Sequence, residues 1–309
     1  MSAAAEALRG RWLEGEPLAR HTTWRVGGPA RRLYLPADLE DLAACLRALP
    51  PQEPLLWLGL GSNLLVRDGG FPGTVVATAA CLRALEHRGG GLVRAEAGVA
   101  CPKLARWCAR RGLAGAEFFA GIPGTLGGAL AMNAGAFGGE TWALVEAVET
   151  LDRRGRLRRR GPEAFRVGYR EVRGPEGEWF VAVWLRLRPA GPGERAAVEA
   201  RIRELLARRA ATQPLGQPSC GSVFRNPPGD HAARLIEAAG LKGRRRGGAQ
   251  VSERHANFIV NTGEATAADI EGLIREVQET VARVHGVRLV PEVHIVGEPL
   301  PGAGGEGGA

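Results

Sequence analysis

Residues 121–139 read GIPGTLGGALAMNAGAFGG. Seven of these positions are glycine, with Pro123 and Asn133 set among them. Ile122, Leu126, Leu130, Met132 and Phe137 nevertheless supply apolar anchors, for which a flexible linker has no use. Glycines spaced in this way permit positive φ and let backbone N–H groups approach a ligand without a Cβ in the way. Such a loop suits a phosphate-bearing cofactor where it runs into a helix N-terminus. The competing reading is a set of tight turns between strands.

On the N-terminal side, the sequence predicts a strand over Arg31–Leu35 and a helix over Asp38–Leu49, with Leu39, Leu42, Leu46 and Leu49 on one side and Asp38 as N-cap. Strands follow over Leu55–Leu60, Thr74–Thr78 and Leu92–Ala97, and a helix over Cys101–Arg111 stopped by Gly112. Beyond the glycine stretch, strands are expected over Ala143–Leu151, Arg156–Arg160 and Trp179–Leu187. Pro189–Gly193 marks a domain boundary. Helices over Glu194–Ala211, His231–Ala239 and Ala267–His285, strands over Asn257–Asn261 and Val287–Val296, and a Gly-rich tail from Pro299 complete the chain. The order of elements is α+β, with mixed or antiparallel strands in both parts.

Bulk properties narrow the class. A chain of 309 residues suits two domains, and 45% hydrophobic with 24% charged residues is ordinary for a globular enzyme. No apolar run approaches the roughly 20 residues that span a bilayer. The opening MSAAAEALRGRW carries Glu6 and no apolar core, so no secretory signal is read and a cytoplasmic location is expected. Five scattered cysteines without a CxxC pair argue for reduced thiols and against a disulfide framework or a metal site. The net charge of +8 rests on arginine, since Lys103 and Lys242 are the only lysines. Its basic runs, Arg153–Arg160 and Lys242–Arg246, are short and lack interleaved aromatics, which disfavours nucleic acid as a partner. Serine and asparagine number only five each, and nearly all fall in a few Gly- or Pro-punctuated segments: Ser62 and Asn63, Asn133, Ser222 and Asn226, Ser252, Asn257 and Asn261. Clustering of scarce small polar residues marks places where specific hydrogen bonds are needed.

Four further segments could carry chemistry. LGLGSNLLVRD, Leu58–Asp68, places G-x-G-S-N after an apolar strand but lacks the third glycine and the later acidic residue of a Rossmann site, so a phosphate-binding turn of another kind fits better. GYR, Gly168–Arg170, is uninformative alone. In QPSCGSVFRNPPG, Gln217–Gly229, Ser222 could donate a proton or act as a nucleophile, although no G-x-S-x-G elbow surrounds it. PEVHIVG, Pro291–Gly297, is read as a strand with Glu292 and His294 on one face, where a carboxylate is either paired, raised in pKa or turned to water.

Taken in order, TTWRVGGPA, LGLGSNLLVRD, AEFFAGIPGTLGGALAMNAGAFGGE, GYR, QPSCGSVFRNPPG, AGLKG, GGAQVSERHANFIVN and PEVHIVG resemble the UDP-N-acetylenolpyruvoylglucosamine reductase family of peptidoglycan precursor synthesis, from about Thr22 to Gly297. The resemblance implies an FAD-binding module of vanillyl-alcohol-oxidase (PCMH) type over 21–189, in two subdomains of about 21–80 and 81–189. It implies a smaller α+β substrate domain over 194–298, flanked by an N-terminal segment 1–20 and a flexible tail 299–309. It implies non-covalent FAD, NADPH as co-substrate, no metal, no nucleic acid or membrane partner, and a monomer. It implies that hydride passes from flavin N5 to C3 of the enolpyruvyl ether and that C2 is protonated. On the matching motifs, Ser222 is the proton donor, with Arg170 and a protonated Glu292 stabilising charge on the substrate carboxyl. Gly59, Gly61, Ser62, Asn63, Leu64, Gly121, Ile122, Pro123, Gly124, Gly127, Gly128, Asn133 and Gly135 are expected to wrap the flavin diphosphate and ribityl chain through backbone amides. Tyr169, Arg209, Asn226 and His255 are the expected substrate contacts. One branch of the family closes an extra tyrosine-bearing loop between GYR and GSVF. Tyr34 and Tyr169 are the only tyrosines here and no insertion is present, so the chain resembles the branch without that loop. The alternative within the same fold is another FAD oxidase or dehydrogenase.

Overall fold

The computed structural model describes residues 8–301. Residues 302–309 of the expected tail and 1–7 of the N-terminal segment lie outside that range. The chain divides into two compact units that are discontinuous in sequence. The first holds the chain up to Trp12, Tyr34–Gly59 and Val75–Arg209; the second holds Leu13–Leu33, Leu60–Thr74 and the chain from Ala210 onward.

The first unit is built on a five-stranded sheet in the order Leu157–Arg160, Val145–Asp152, Glu178–Arg186, Leu92–Glu96 and Leu85–His87, antiparallel throughout. In the central register Val183 lies opposite both Val148 and Ala95. Because side chains alternate along a strand, Val93, Ala95, Val148, Val183 and Leu185 all enter one core. The intervening positions carry a polar network. Arg94 donates in a bidentate fashion to Glu149 at 2.9 and 2.6 Å, and the Trp184 indole donates to the same carboxylate at 2.7 Å. Against the apolar face packs α2 (Cys101–Ala109) through Leu104, Ala105 and Cys108, followed by Gly112 at φ +65. Helix α1 (Leu39–Ala48) is capped as its sequence predicts, the Asp38 carboxylate accepting from the Asp41 amide at 2.9 Å. Its Leu42 and Leu46 form a second core with Val76, Leu82, Leu151 and Val181.

In the second unit the long helix α6 (Ala267–His285) is delimited by its own residues. Thr266 and Asp269 form a capping box, and Gly286 closes the helix in the left-handed conformation at φ +68. The Asp68 carboxylate also accepts from the Ala267 and Ala268 amides at 2.9 Å, placing a negative charge at the positive end of the helix dipole. Ile270, Leu273, Ile274, Val277 and Val281 are buried against Val223, Phe224, Leu235, Val251 and Ile259. Each such side chain contributes about 1.5–3 kcal/mol. A small antiparallel sheet orders Arg245–Arg246, Ala249–Val251 and Ile259–Asn261.

The expected strand Val287–Val296 is shorter than read. Only His294–Val296 is a strand, pairing in parallel with Leu64–Val66. Pro291 has no amide to contribute, and the Glu292 amide leaves that line to donate to Val223 O at 2.7 Å. Glu292 therefore precedes the strand and does not share one of its faces with His294, which is exposed.

Candidate active site

The glycine stretch folds around a short helix, α3 (Leu126–Ala131), capped by the Thr125 hydroxyl, which accepts from Gly128 N at 3.4 Å. The amides of Leu126 and Gly127 donate to Val99 O and Ala97 O at 2.9 and 2.8 Å. Among the seven glycines only Gly138 is left-handed, at φ +86, whereas the non-glycines Asn133 and Phe137 adopt φ +46 and +54. This corrects the expectation that the glycines serve positive φ. Gly121, Gly135 and Gly139 are required by close packing. A Cβ on Gly121 would overlap the Phe137 ring, and one on Gly135 would come within 2.5 Å of Gly139 O. Gly59 lies close to this cap, since a Cβ there would overlap Thr125 Oγ1. Thr125 escaped the reading of candidate residues, although its place before L-G-G is an N-cap signal. Ile122 is buried and donates to Phe119 O at 3.1 Å, Pro123 is exposed, and Gly124 O accepts from Cys101 N at 2.9 Å.

Tyr169 and Arg170 form the tip of a two-stranded hairpin, Arg166–Gly168 with Glu171–Arg173. Tyr169 is 48% exposed. Arg170 sits at φ +55, a conformation that costs a side-chain-bearing residue about 1–2 kcal/mol. Its guanidinium donates to Asn133 O at 3.2 Å and Gly135 O at 3.0 Å. Asn133 is itself fixed, accepting from the Trp142 amide at 3.1 Å and donating to Gly168 O at 3.2 Å. The structure thus brings Arg170, Asn133 and Gly135 together. The glycine stretch supplies direct support for Arg170.

Within the second unit, the turn after Gly59 presents Leu60, Gly61 and Ser62. Among the described residues their amides donate to no group of the chain. Gly61 is left-handed at φ +58, and a Cβ there would overlap His21 O. Consecutive amides in such a turn form an anion-binding concavity, so this segment fits a diphosphate. Asn63 and Leu64 continue into the parallel pairing: the Asn63 side chain donates to Glu292 O at 3.1 Å, and Asn63 O accepts from His294 N at 3.1 Å. Glu292 N in turn donates to Val223 O. One run of main chain thus holds Glu292 between the Gly61–Asn63 turn and the residue after Ser222. Ser222 is half-buried and, among the described residues, its hydroxyl bonds to no other group of the chain. The neighbouring Cys220 is buried, and burial raises its thiol well above the ordinary range, so it is no nucleophile.

The remaining candidates are placed as follows. Asn226 is exposed, with its side-chain oxygen accepting from Ala232 N at 3.0 Å, the first residue of α5 (Ala232–Ala238). Its amide NH₂ is left to donate elsewhere. His255 packs edge-on against Phe258 at 4.7 Å, burial lowers its pKa, and its buried Nδ1 has no partner among the described residues. Arg209 is half-buried near the end of α4 (Glu194–Thr212), and burial lowers its pKa. Tyr34 is fully buried and donates to Asp41 at 2.5 Å, so it closes over no ligand.

Residues 213–296 match the family described as UDP-N-acetylenolpyruvoylglucosamine reductase, C-terminal domain, and residues 30–161 match the FAD binding domain family. The chain is 68% identical over 298 residues to the UDP-N-acetylenolpyruvoylglucosamine reductase of Alkalilimnicola ehrlichii, covering 96% of this chain and 99% of that protein. The chain belongs to the UDP-N-acetylenolpyruvoylglucosamine reductase family. The reductase of Nitrosococcus oceani is 62% identical over 297 residues, covering 96% of this chain and 98% of that protein. The crystal structure of the Thermus caldophilus reductase superposes with a TM-score of 0.79 at 36% identity, covering 93% of this chain and 99% of that one. The α+β fold and the FAD-binding class follow from this membership. No helix among the described residues is long and apolar enough to cross a membrane.

Proposed function

We propose that the protein is an FAD-containing oxidoreductase that uses NADPH to reduce UDP-N-acetylenolpyruvoylglucosamine to UDP-N-acetylmuramate in peptidoglycan precursor synthesis. The observation that carries this reading is the Glu292–Val223 main-chain bond at 2.7 Å, which sets a carboxyl group and the Ser222 hydroxyl on adjoining segments within a chain of this family. When bound, FAD supplies the hydride that reaches C3 of the enolpyruvyl ether. The residues of the chain bind, orient and protonate.

Leu60–Ser62 would hold the diphosphate by their amides, with Gly59, Asn63 and Leu64 shaping that turn. Gly121–Gly124, Gly127, Gly128, Asn133 and Gly135 would shape the remainder of the flavin site, chiefly through the close packing of their backbone. Flavin is held without a covalent bond. Ser222 donates the proton taken up at C2, a step for which a hydroxyl suffices only against a strongly basic centre held within hydrogen-bond reach. Arg170 and a protonated Glu292 stabilise charge developing on the substrate carboxyl. The Asn226 NH₂, Arg209, His255 and Tyr169 bind the UDP-sugar. The FAD part extends over 21–189 and the substrate part over 194–298, ranges that contain the two family matches. The protein acts as a cytoplasmic monomer of the branch without the tyrosine loop. Incubation with NADPH and the enolpyruvyl substrate should yield a product heavier by two hydrogens in mass spectrometry. Substrate recovered unchanged would overturn the assignment.

A further inference from the structure

Asn257 is an almost fully buried polar side chain, 4% exposed, in the segment RHANFIVN. Nothing in the chemistry above uses it. Its side-chain oxygen accepts from Phe224 N at 2.9 Å, and its NH₂ donates to Phe224 O at 2.8 Å. Its own carbonyl accepts from Val223 N at 2.9 Å. Three hydrogen bonds therefore hold the two residues that follow Ser222. Val223 uses its remaining main-chain group, its carbonyl, to accept from Glu292 N at 2.7 Å. An amide side chain that both donates to and accepts from one residue fixes that residue in position and in rotation, and neither a hydroxyl nor a carboxylate reproduces the pair. Phe224 cannot relax to compensate, because its ring is 2% exposed in the core beneath α6.

We infer that Asn257 is a positioning residue for Ser222. By locking the Val223–Phe224 main chain, it sets the distance and direction of the Ser222 hydroxyl relative to Glu292, and so the geometry of proton delivery to substrate. The inference rests on the functional reading given above. A group held in place by a network of this kind loses its alignment before it loses its fold, and a displacement of about 1 Å costs catalysis roughly a hundredfold.

The test compares the wild-type holoenzyme with Asn257→Ala and Asn257→Asp under anaerobic conditions, following two steps separately: bleaching of flavin absorbance by NADPH, and its return on adding the UDP-enolpyruvyl sugar. In Asn257→Ala, bleaching should stay within about twofold of wild type while recolouring slows by about a hundredfold. Amide hydrogen exchange at Val223 and Phe224 should accelerate. In Asn257→Asp, the introduced carboxylate opposes Phe224 O, so recolouring should be slow at neutral pH. It should recover on acidification, when the protonated group again donates and accepts; the alanine variant should show no such recovery. Recolouring at the wild-type rate in both variants would overturn the inference. So would equal losses in both steps accompanied by loss of bound flavin, since that is the mark of a merely structural residue. A wild-type enzyme that bleaches but is not recoloured by this substrate would remove the functional reading itself, and the inference with it.

Discussion

The main-chain amide of Glu292 donates to the carbonyl oxygen of Val223 at 2.7 Å. Residues 69 positions apart in sequence are thereby made adjacent, which sets the backbone of Glu292 beside that of Val223, the residue after Ser222. The mechanism therefore asks of Ser222 a proton donated at short range. Ser222→Ala should leave reduction of the flavin by NADPH intact and lower turnover of the enolpyruvyl substrate by about 10²–10⁴-fold, the range for a lost general acid. Stopped-flow measurement of the two steps separates these effects, and unchanged overall turnover would remove Ser222 from the mechanism.

Arg170 combines a strained backbone with a tethered guanidinium. Arg170→Gly relieves the left-handed conformation while removing the bonds to Asn133 O and Gly135 O. Its melting temperature should fall only modestly, because about 1–2 kcal/mol of strain relief offsets part of the loss of two hydrogen bonds. Turnover should fall at least tenfold if the charge stabilises the substrate carboxyl. Calorimetry paired with steady-state kinetics checks both halves. A variant that is stable and fully active would show that the charge is not used.

Gly61 is the position in the Leu60–Ser62 turn where backbone conformation and crowding agree. Alanine there meets a positive φ and the carbonyl oxygen of His21 together. Gly61→Ala should be destabilised by about 1–3 kcal/mol and purify with less flavin. The ratio of flavin absorbance to protein absorbance gives the occupancy, and a variant with full occupancy and unaltered stability would contradict this account of the turn.

The acid sensitivity of the fold follows from its arginine-paired carboxylates. Arg67 draws Glu271, and Arg160 draws Glu178, below the ordinary glutamate range. Burial would raise Glu149, but Arg94 and Trp184 outweigh it and leave that group lowered as well. A carboxylate whose pKa is depressed by folding stabilises the protein above its unfolded pKa, and that contribution disappears as pH falls through the folded value. Melting temperature should therefore decline as the pH drops below the ordinary carboxylate range. Arg94→Met leaves the buried Glu149 with the Trp184 indole but without its guanidinium partner, at a cost of about 2–3 kcal/mol near neutrality. Thermal melts from pH 7 to pH 3 for both proteins check this, and a variant as stable as wild type at neutral pH would refute the role given to the pair.

Much of this was legible in the chain. The cap at Asp38 and the bounds of α6 follow from local rules, and the structure bears them out. The scarcity of asparagine also proved informative. Each of the five bonds specifically: Asn63 to Glu292, Asn133 to Trp142 and Gly168, Asn226 to Ala232, Asn257 to Phe224, and Asn261 to Trp24. What escaped were pairings between distant segments. The strand at His294–Val296 ends where it does because its partner is Leu64–Val66, 230 residues earlier, and no periodicity records that. The glycines of 121–139 suggest positive φ and close approach to a ligand, whereas Gly121, Gly135 and Gly139 are set by neighbours such as Phe137, Gly139 O and Phe118 that only the folded chain supplies.

The most direct measurement is the colour of the protein through one anaerobic cycle. The purified protein should be yellow, bleach on adding NADPH, and regain its flavin absorbance when the UDP-enolpyruvyl sugar follows, with UDP-N-acetylmuramate formed in equal amount to the flavin reoxidised. A protein without flavin, or one whose reduced flavin is left unchanged by that sugar, would contradict the account.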